Sequence, residues 1–202
     1  VPVLDWCLRR LSLCPSLDTV VVATSTLSRD DVIESHCRSR GWECFRGSEY
    51  DVLDRYYQAA RAFSATEVVR VTSDCPFIDP QLVRSVVALF HEANGNLDYA
   101  SNIHPRTFPR GLDVEIVSFR SLEAAWSETQ ETYCREHVTP LFYQNPQRFR
   151  LGSMKNDVDL SALQWSLDTI EDYEPLKQLS ENLSPETLDW RTLVAKDKSA
   201  YC

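Results

Sequence analysis

The sequence predicts an α/β domain built on a mostly parallel, Rossmann-like sheet flanked by helices. Three observations carry this reading. Runs of β-branched residues alternate with helical apolar periodicity, the run Val68-Val69-Arg70-Val71 reads as a strand buried on both faces, and the strand-then-helix step repeats along the chain. A length of 202 residues, with 43% hydrophobic and 25% charged residues, suits a single domain spanning 1–202 with a substantial core.

Each element has its own signal. Val3, Leu4, Cys7, Leu8 and Leu11 form a helical stripe that starts at once. Residues 19–23 are a β-branched strand, followed by Ser28 and Asp31 as a capping box for a helix that buries Ile33 and Cys37 and stops at Gly41. A short strand at 43–45 leads to Ser48-Glu49-Tyr50-Asp51, a box-like start, and a helix with Leu53, Tyr56, Tyr57 and Ala60 on one side. Residues 67–72 form the buried strand, ended by Ser73-Asp74-Cys75-Pro76. Asp79-Pro80 then gives an N-cap and a first-turn proline to a helix burying Leu82, Val83, Val86 and Phe90, which stops near Gly95. After a strand near 98–101, Pro105, Pro109 and Gly111 make 102–111 a loop. Residues 112–119 alternate as a strand, and helices cover 122–128 and 133–143, the second interrupted at Pro140. Leu163, Trp165 and Leu167 alternate into a final strand that delivers Asp168, and Thr169 with Asp172 boxes a helix using Tyr173, Leu176, Leu179 and Leu183. The tail after about 184 is expected to be peripheral, with one short helix before Lys196-Asp197-Lys198-Ser199 frays.

Charge and cysteine usage exclude several functions. A net charge of −9, without a basic stripe, disfavours nucleic acid as a partner. No apolar run approaches the roughly 18 residues that span a bilayer, so no membrane is expected. Seven cysteines, an odd number with no zinc-like spacing, read as reduced thiols of a cytoplasmic protein.

Three constellations could carry chemistry. Asp74 and Asp168 each stand just beyond a strand, on the ligand side of such a sheet, where two hard oxygen donors suit Mg²⁺ on a phosphate-bearing substrate. The same residues could be simple caps. Arg135-Glu136-His137 falls in the first turn of a helix, where exposed N–H groups and an arginine favour an anion; His137 could equally be a packing histidine. Residues 46–55 run from a loop into a helix; their polar groups could read a nucleotide or form a solvated face with an Asp51–Arg55 ion pair. His36 and His91 lie on helices without evident partners, His104 sits in the proline-containing loop, and the tryptophans read as core anchors.

Five ordered motifs resemble one family. They are Arg46-Gly47-Ser48 with Asp51-Val52-Leu53-Asp54-Arg55-Tyr56-Tyr57, Thr72-Ser73-Asp74-Cys75-Pro76 with Ile78-Asp79-Pro80, Pro109-Arg110-Gly111-Leu112-Asp113-Val114-Glu115, Arg135-Glu136-His137-Val138-Thr139-Pro140, and Leu167-Asp168-Thr169 with Glu171-Asp172-Tyr173. Together they resemble the cytidylyltransferase-like spore coat polysaccharide biosynthesis proteins, related to acylneuraminate and 3-deoxy-manno-octulosonate cytidylyltransferases. The resemblance implies a nucleotide-diphospho-sugar transferase fold and Mg²⁺-dependent transfer of a cytidylyl group from CTP to an acidic or modified sugar. It matches Asp74 and Asp168 to the metal-binding aspartates, places Arg46, Ser48 and Asp51 on the nucleotide, and leaves Arg110, Asp113, Arg135, Glu136 and His137 for the acceptor sugar. It also implies a homodimer formed near the 102–111 loop. The family's opening strand and basic loop, which precede the first helix, have no counterpart here, so the chain is expected to be N-terminally incomplete. A glycosyltransferase using a nucleotide-sugar is an alternative, although Asp74-Cys75-Pro76 lacks the second aspartate of a DxD-like motif; an inactive sugar-binding module is another.

Overall fold

The computed structural model describes residues 1–93 and 95–197. Its strands form two sheets. β1 (Val21–Ser25) and β2 (Glu43–Gly47) pair in parallel, and β3 (Glu67–Arg70), β5 (Glu115–Ser118), β4 (Tyr99–Ser101) and β6 (Leu151–Ser153) form a second sheet in that spatial order. β5 is antiparallel to both its neighbours, while β4 and β6 are parallel, so three of the four strands in this sheet share one direction. The mostly parallel α/β architecture is as the sequence predicts, with one reversed strand inserted at its centre.

Helices cover the sheets. α1 (Val3–Leu11), α2 (Asp31–Arg40), α3 (Val52–Ala62) and α4 (Pro80–Glu92) follow the predicted order. Gly41 closes α2 at φ 70°, a conformation that suits a residue without Cβ. The start of α2 differs from the expected capping box. Residues Ser28–Asp30 make a 3₁₀ turn, and Asp30 turns back to accept from the Thr24 hydroxyl at 2.8 Å and the Ser25 N–H at 3.0 Å. Asp79 does cap α4, accepting from Gln81 N–H at 2.8 Å and Leu82 N–H at 3.2 Å. It also faces the buried guanidinium of Arg10, which donates to the Ile78 carbonyl at 2.5 Å and the Pro185 carbonyl at 2.7 Å. A fully buried arginine thus ties α1, the start of α4 and the C-terminal segment together, with each charge-assisted bond offsetting desolvation.

Pro140 divides the expected single helix into α6 (Thr132–His137) and α7 (Pro140–Gln144), after α5 (Phe119–Glu128). β6 is too short to give a period in the sequence; its Gly152 lies against Leu97 and Ala100, where a Cβ would fall 2.7 Å and 3.0 Å from their side-chain carbons. α8 (Tyr173–Ser180) ends before Leu183, and α9 (Trp190–Lys196) follows. The tail is not peripheral: Leu188, Trp190 and Leu193 lie in the main core, and Trp165 Nε1 donates to Asp197. The expected fraying at Lys198 and Ser199, and the thiol of Cys202, lie outside the described residues. Two histidines assigned no partner have one: His36 meets Asp5 at 2.5 Å and His91 meets Glu67 at 2.6 Å. No helix among the described residues is long and apolar enough to cross a membrane.

The two sheets are separated by a slot of about 670 Å³. Residues 19–23 form one wall and 66–73 the other, with Leu4, Cys7, Leu8 and Leu11 of α1 and Val52, Tyr56, Ala59 and Ala60 of α3 among its apolar lining. Among the described residues β1 pairs only with β2, and β3 only with β5, so each strand has a backbone edge unpaired there, and both strands line this space.

Candidate active site

The residues expected to bind substrate and metal divide between two places. A cavity of about 270 Å³ at the end of the larger sheet is lined by Thr72, Asp74, Cys75, Arg110, Gly111, Asp113, Gln164, Ser166 and Asp168. It contains Asp74 and Asp168 together with Arg110 and Asp113.

Residues 163–168 build this cavity. They are not the regular strand that alternation predicts. The stretch forms one parallel bridge, between Arg110 and Gln164, with Arg110 N–H donating to Leu163 O at 2.9 Å and Trp165 N–H to Arg110 O at 2.8 Å. Two residues further on, Leu167 N–H donates to the Asp74 carbonyl at 2.8 Å. One extended segment therefore stitches the Arg110 loop to the turn after β3, leaving no continuous ladder. The close approach depends on Gly111, at φ 95°: a Cβ there would lie 2.6 Å from the Trp165 carbonyl carbon and 2.8 Å from Ser166 N.

Each of the two aspartates is held through one oxygen. The Cys75 thiol donates to Asp74 Oδ1 at 3.3 Å, and burial, with the nearby Asp74 charge, pushes this thiol well above its ordinary pKa, so that it keeps its proton. Asp168 Oδ2 accepts from Gln164 Nε2 at 2.7 Å and Ser166 Oγ at 3.1 Å. Among the described residues no hydrogen bond or ion pair reaches Asp74 Oδ2, Asp168 Oδ1 or the Arg110 guanidinium. Asp113 is engaged through both oxygens, by Arg106 at 2.5 Å and 2.7 Å. The predicted capping box below Asp168 is present: Asp172 accepts from the Thr169 N–H at 2.7 Å and also from the Asp168 N–H at 3.0 Å. These bonds hold the Asp172 carboxyl below the usual carboxylate range.

The remaining candidates stand elsewhere. Arg46 lies within β2, its guanidinium spent on Ser25 O, Leu27 O, Asp31 and Glu34 at 2.6–2.9 Å. The Ser48 hydroxyl accepts from Asp51 N–H at 3.0 Å, and Asp51 caps α3 through the Asp54 N–H at 2.9 Å. The partner of Asp51 is Arg135, which also donates to the Trp126 carbonyl at 2.7 Å; Arg55 instead donates to Ser48 O at 2.9 Å. Arg135, Glu136 and His137 close α6 and do not open it, so the expected exposed N–H groups are replaced by carbonyl ends that favour cations. Glu136 and His137 line the slot between the sheets. His104 packs against Tyr143 with ring centroids 3.8 Å apart and the planes tilted by 32°.

Gln164 and Ser166 were not anticipated, yet the sequence carried their signal. If Leu163, Trp165 and Leu167 share the buried face of an extended segment, then Gln164, Ser166 and Asp168 share the other.

Comparison with known proteins first defines a class. The fold resembles that of CMP:2-keto-3-deoxy-manno-octonic acid synthetase, solved in complex with CTP, at a TM-score of 0.62 and 11% identity over 88% of this chain and 86% of that one; this is a likeness of fold. The cytidylyltransferase family model matches residues 1–190, and the chain belongs to that family. A cytidylyltransferase from Leptospira borgpetersenii superposes with a TM-score of 0.93 at 35% identity, over 99% of this chain and 85% of that one. The spore coat polysaccharide biosynthesis protein SpsF of Bacillus subtilis is 33% identical over 165 residues, 80% of this chain and 67% of SpsF.

Proposed function

We propose that this chain transfers a cytidylyl group from CTP to an acidic or modified sugar destined for a surface polysaccharide. The observation that carries the proposal is the meeting of Asp74, Asp168 and Arg110 in one cavity, each with side-chain polar atoms that have no partner among the described residues. The donor set fits Mg²⁺, a hard cation usually held by one or two carboxylates with phosphate oxygens and water making up the rest. No group of three His, Cys, Asp or Glu side chains among the described residues could form a protein-only metal cage. Asp74 Oδ2 and Asp168 Oδ1 would hold the ion, which when bound neutralises phosphate charge. Arg110 would take an anionic group of either substrate. A sugar hydroxyl then attacks the α-phosphorus, the bond to the β-phosphate breaks, pyrophosphate departs and the hydroxyl proton passes to solvent. The protein positions and screens and forms no covalent intermediate. The test is pyrophosphate release from Mg·CTP with a panel of acidic sugars. Release that depends on the sugar and disappears in Asp74→Asn supports the proposal; release from Asp74→Asn at the normal rate refutes the metal role.

The slot between β1 and β3 bears on the same reading. We infer that the slot accepts an extended apolar segment that bonds to both open edges, since a strand answers two facing backbone edges under helices on both sides. A chain carrying five β-branched residues and a short linker before Val1 should melt higher than the 202-residue chain. An unchanged melting temperature would argue against a strand in the slot. The partner we propose is a second copy of the chain, read by sedimentation at micromolar concentration.

A further inference from the structure

We propose that Gln164 and Ser166 are positioning residues, which fix the Asp168 carboxylate so that one oxygen, Oδ1, is presented to the cation. The inference rests on the metal role proposed for Asp168. The bonding around Asp168 is complete on one side only. Gln164 Nε2 carries two hydrogens; one reaches Asp168 Oδ2 at 2.7 Å and the other the Ser166 hydroxyl oxygen at 2.6 Å. That hydroxyl, having accepted from Gln164, donates its own hydrogen to the same Oδ2 at 3.1 Å. All three hydrogens converge on one carboxylate oxygen, directly or through the neighbouring hydroxyl, and Oδ1 has no partner among the described residues. Asp172 fixes the backbone beneath by accepting from the Asp168 N–H at 3.0 Å.

The chemistry of the donors matters as much as their number. An arginine or lysine in place of Gln164 would neutralise the carboxylate and compete with a cation for it. Amide and hydroxyl donors orient it and leave its charge in place, which is the usual part of groups that support a metal-ligating carboxylate. The spacing i, i+2, i+4 puts all three side chains on one face of the extended segment without any turn between them.

The test measures binding of Mn²⁺ alone to the 202-residue chain by electron paramagnetic resonance, beside thermal melts and turnover. Gln164→Leu should weaken Mn²⁺ binding about 10–100-fold, the range expected for loss of a group supporting a metal ligand. Its melting temperature should hardly move, because the Gln164 side chain is exposed. Ser166→Ala should weaken binding less, and Gln164→Leu should raise the Mg²⁺ concentration needed for half-maximal rate more than it lowers the rate at saturating Mg²⁺. Combined with Asp168→Asn, Gln164→Leu should add no further loss of Mn²⁺ affinity, since it acts only through Asp168. Normal Mn²⁺ affinity in Gln164→Leu, with affinity lost in Asp168→Asn, would overturn the positioning role and leave the metal role standing. No Mn²⁺ binding by the unaltered chain, or equal binding by Asp168→Asn, would overturn both.

Discussion

Arg46 and Arg110 are the same residue type in two halves of one molecule, and their surroundings could hardly differ more. On the β1–β2 half the guanidinium of Arg46 is saturated by two carbonyls and two carboxylates, and Asp51 and Arg135 close on each other. On the half built around the larger sheet, the guanidinium of Arg110 has no hydrogen bond or ion pair among the described residues, and Asp74 and Asp168 each keep one carboxylate oxygen open. The lesson is that a charged motif shows its use only when its bonding is counted. A saturated group holds the fold, whereas an open one beside other open groups is available to a ligand.

That contrast is sharpest in turnover. Asp74→Asn should cut pyrophosphate release on the order of a thousandfold, comparable to loss of a principal electrostatic stabiliser, while a thermal melt moves little, because the thiol of Cys75 is the one donor to its carboxylate among the described residues. A large fall in melting temperature would instead class Asp74 with Asp51 as a structural acid.

Gly111→Ala comes next and joins the two properties. Its φ of 95° and the 2.6 Å approach to the Trp165 backbone leave no room for a methyl group, so unfolding free energy should fall by about 1–3 kcal/mol from strain alone. Turnover should fall as well, because the segment carrying Gln164, Ser166 and Asp168 must move away from Arg110. Denaturant unfolding beside the pyrophosphate assay separates the two effects.

Arg135→Ala and Arg110→Ala then set the halves directly against each other. Arg135→Ala takes the donor from Asp51 Oδ2 and from the Trp126 carbonyl at a partly buried pair, and should cost about 1–2 kcal/mol. Arg110→Ala should stay within about 0.5 kcal/mol of the unaltered protein and raise KM for one substrate. A stable, fully active Arg110→Ala would remove Arg110 from the site.

The order of elements was legible because periodicity and caps are local: Asp79-Pro80, Gly41 and the Thr169–Asp172 box all stand where the sequence puts them. What was not legible came from distant pairing. β6 has three residues and no period, and the extended segment at 163–168 is tied at Arg110 and Asp74 with no ladder between. At the site, Asp74 and Asp168 could be placed by their position after strands. The saturation of Arg46 and Arg135 could not, since Asp31, Glu34 and Asp51 reach them across 12 to 84 residues. The helix end at His137 was misread because α6 has only six residues and stops before Pro140, so residues expected in the first turn of a longer helix lie in the last turn of a short one.

The smallest effect expected is on pH dependence, from the loop that precedes Arg110. Burial holds the His104 imidazole below its ordinary pKa, its Nε2 is enclosed without a hydrogen-bond partner among the described residues, and its ring lies against Tyr143. Because the folded state binds this proton less readily than the unfolded chain, stability is intact above the unfolded value near 6.5 and declines as pH falls below it towards the lowered folded value. Denaturant midpoints measured from pH 7.5 down to 5.5 should therefore fall more steeply for the unaltered chain than for His104→Gln, which cannot titrate. Equal slopes would show that His104 takes up its proton as easily folded as unfolded, and that the loop ahead of Arg110 holds its ring more loosely than its contacts indicate.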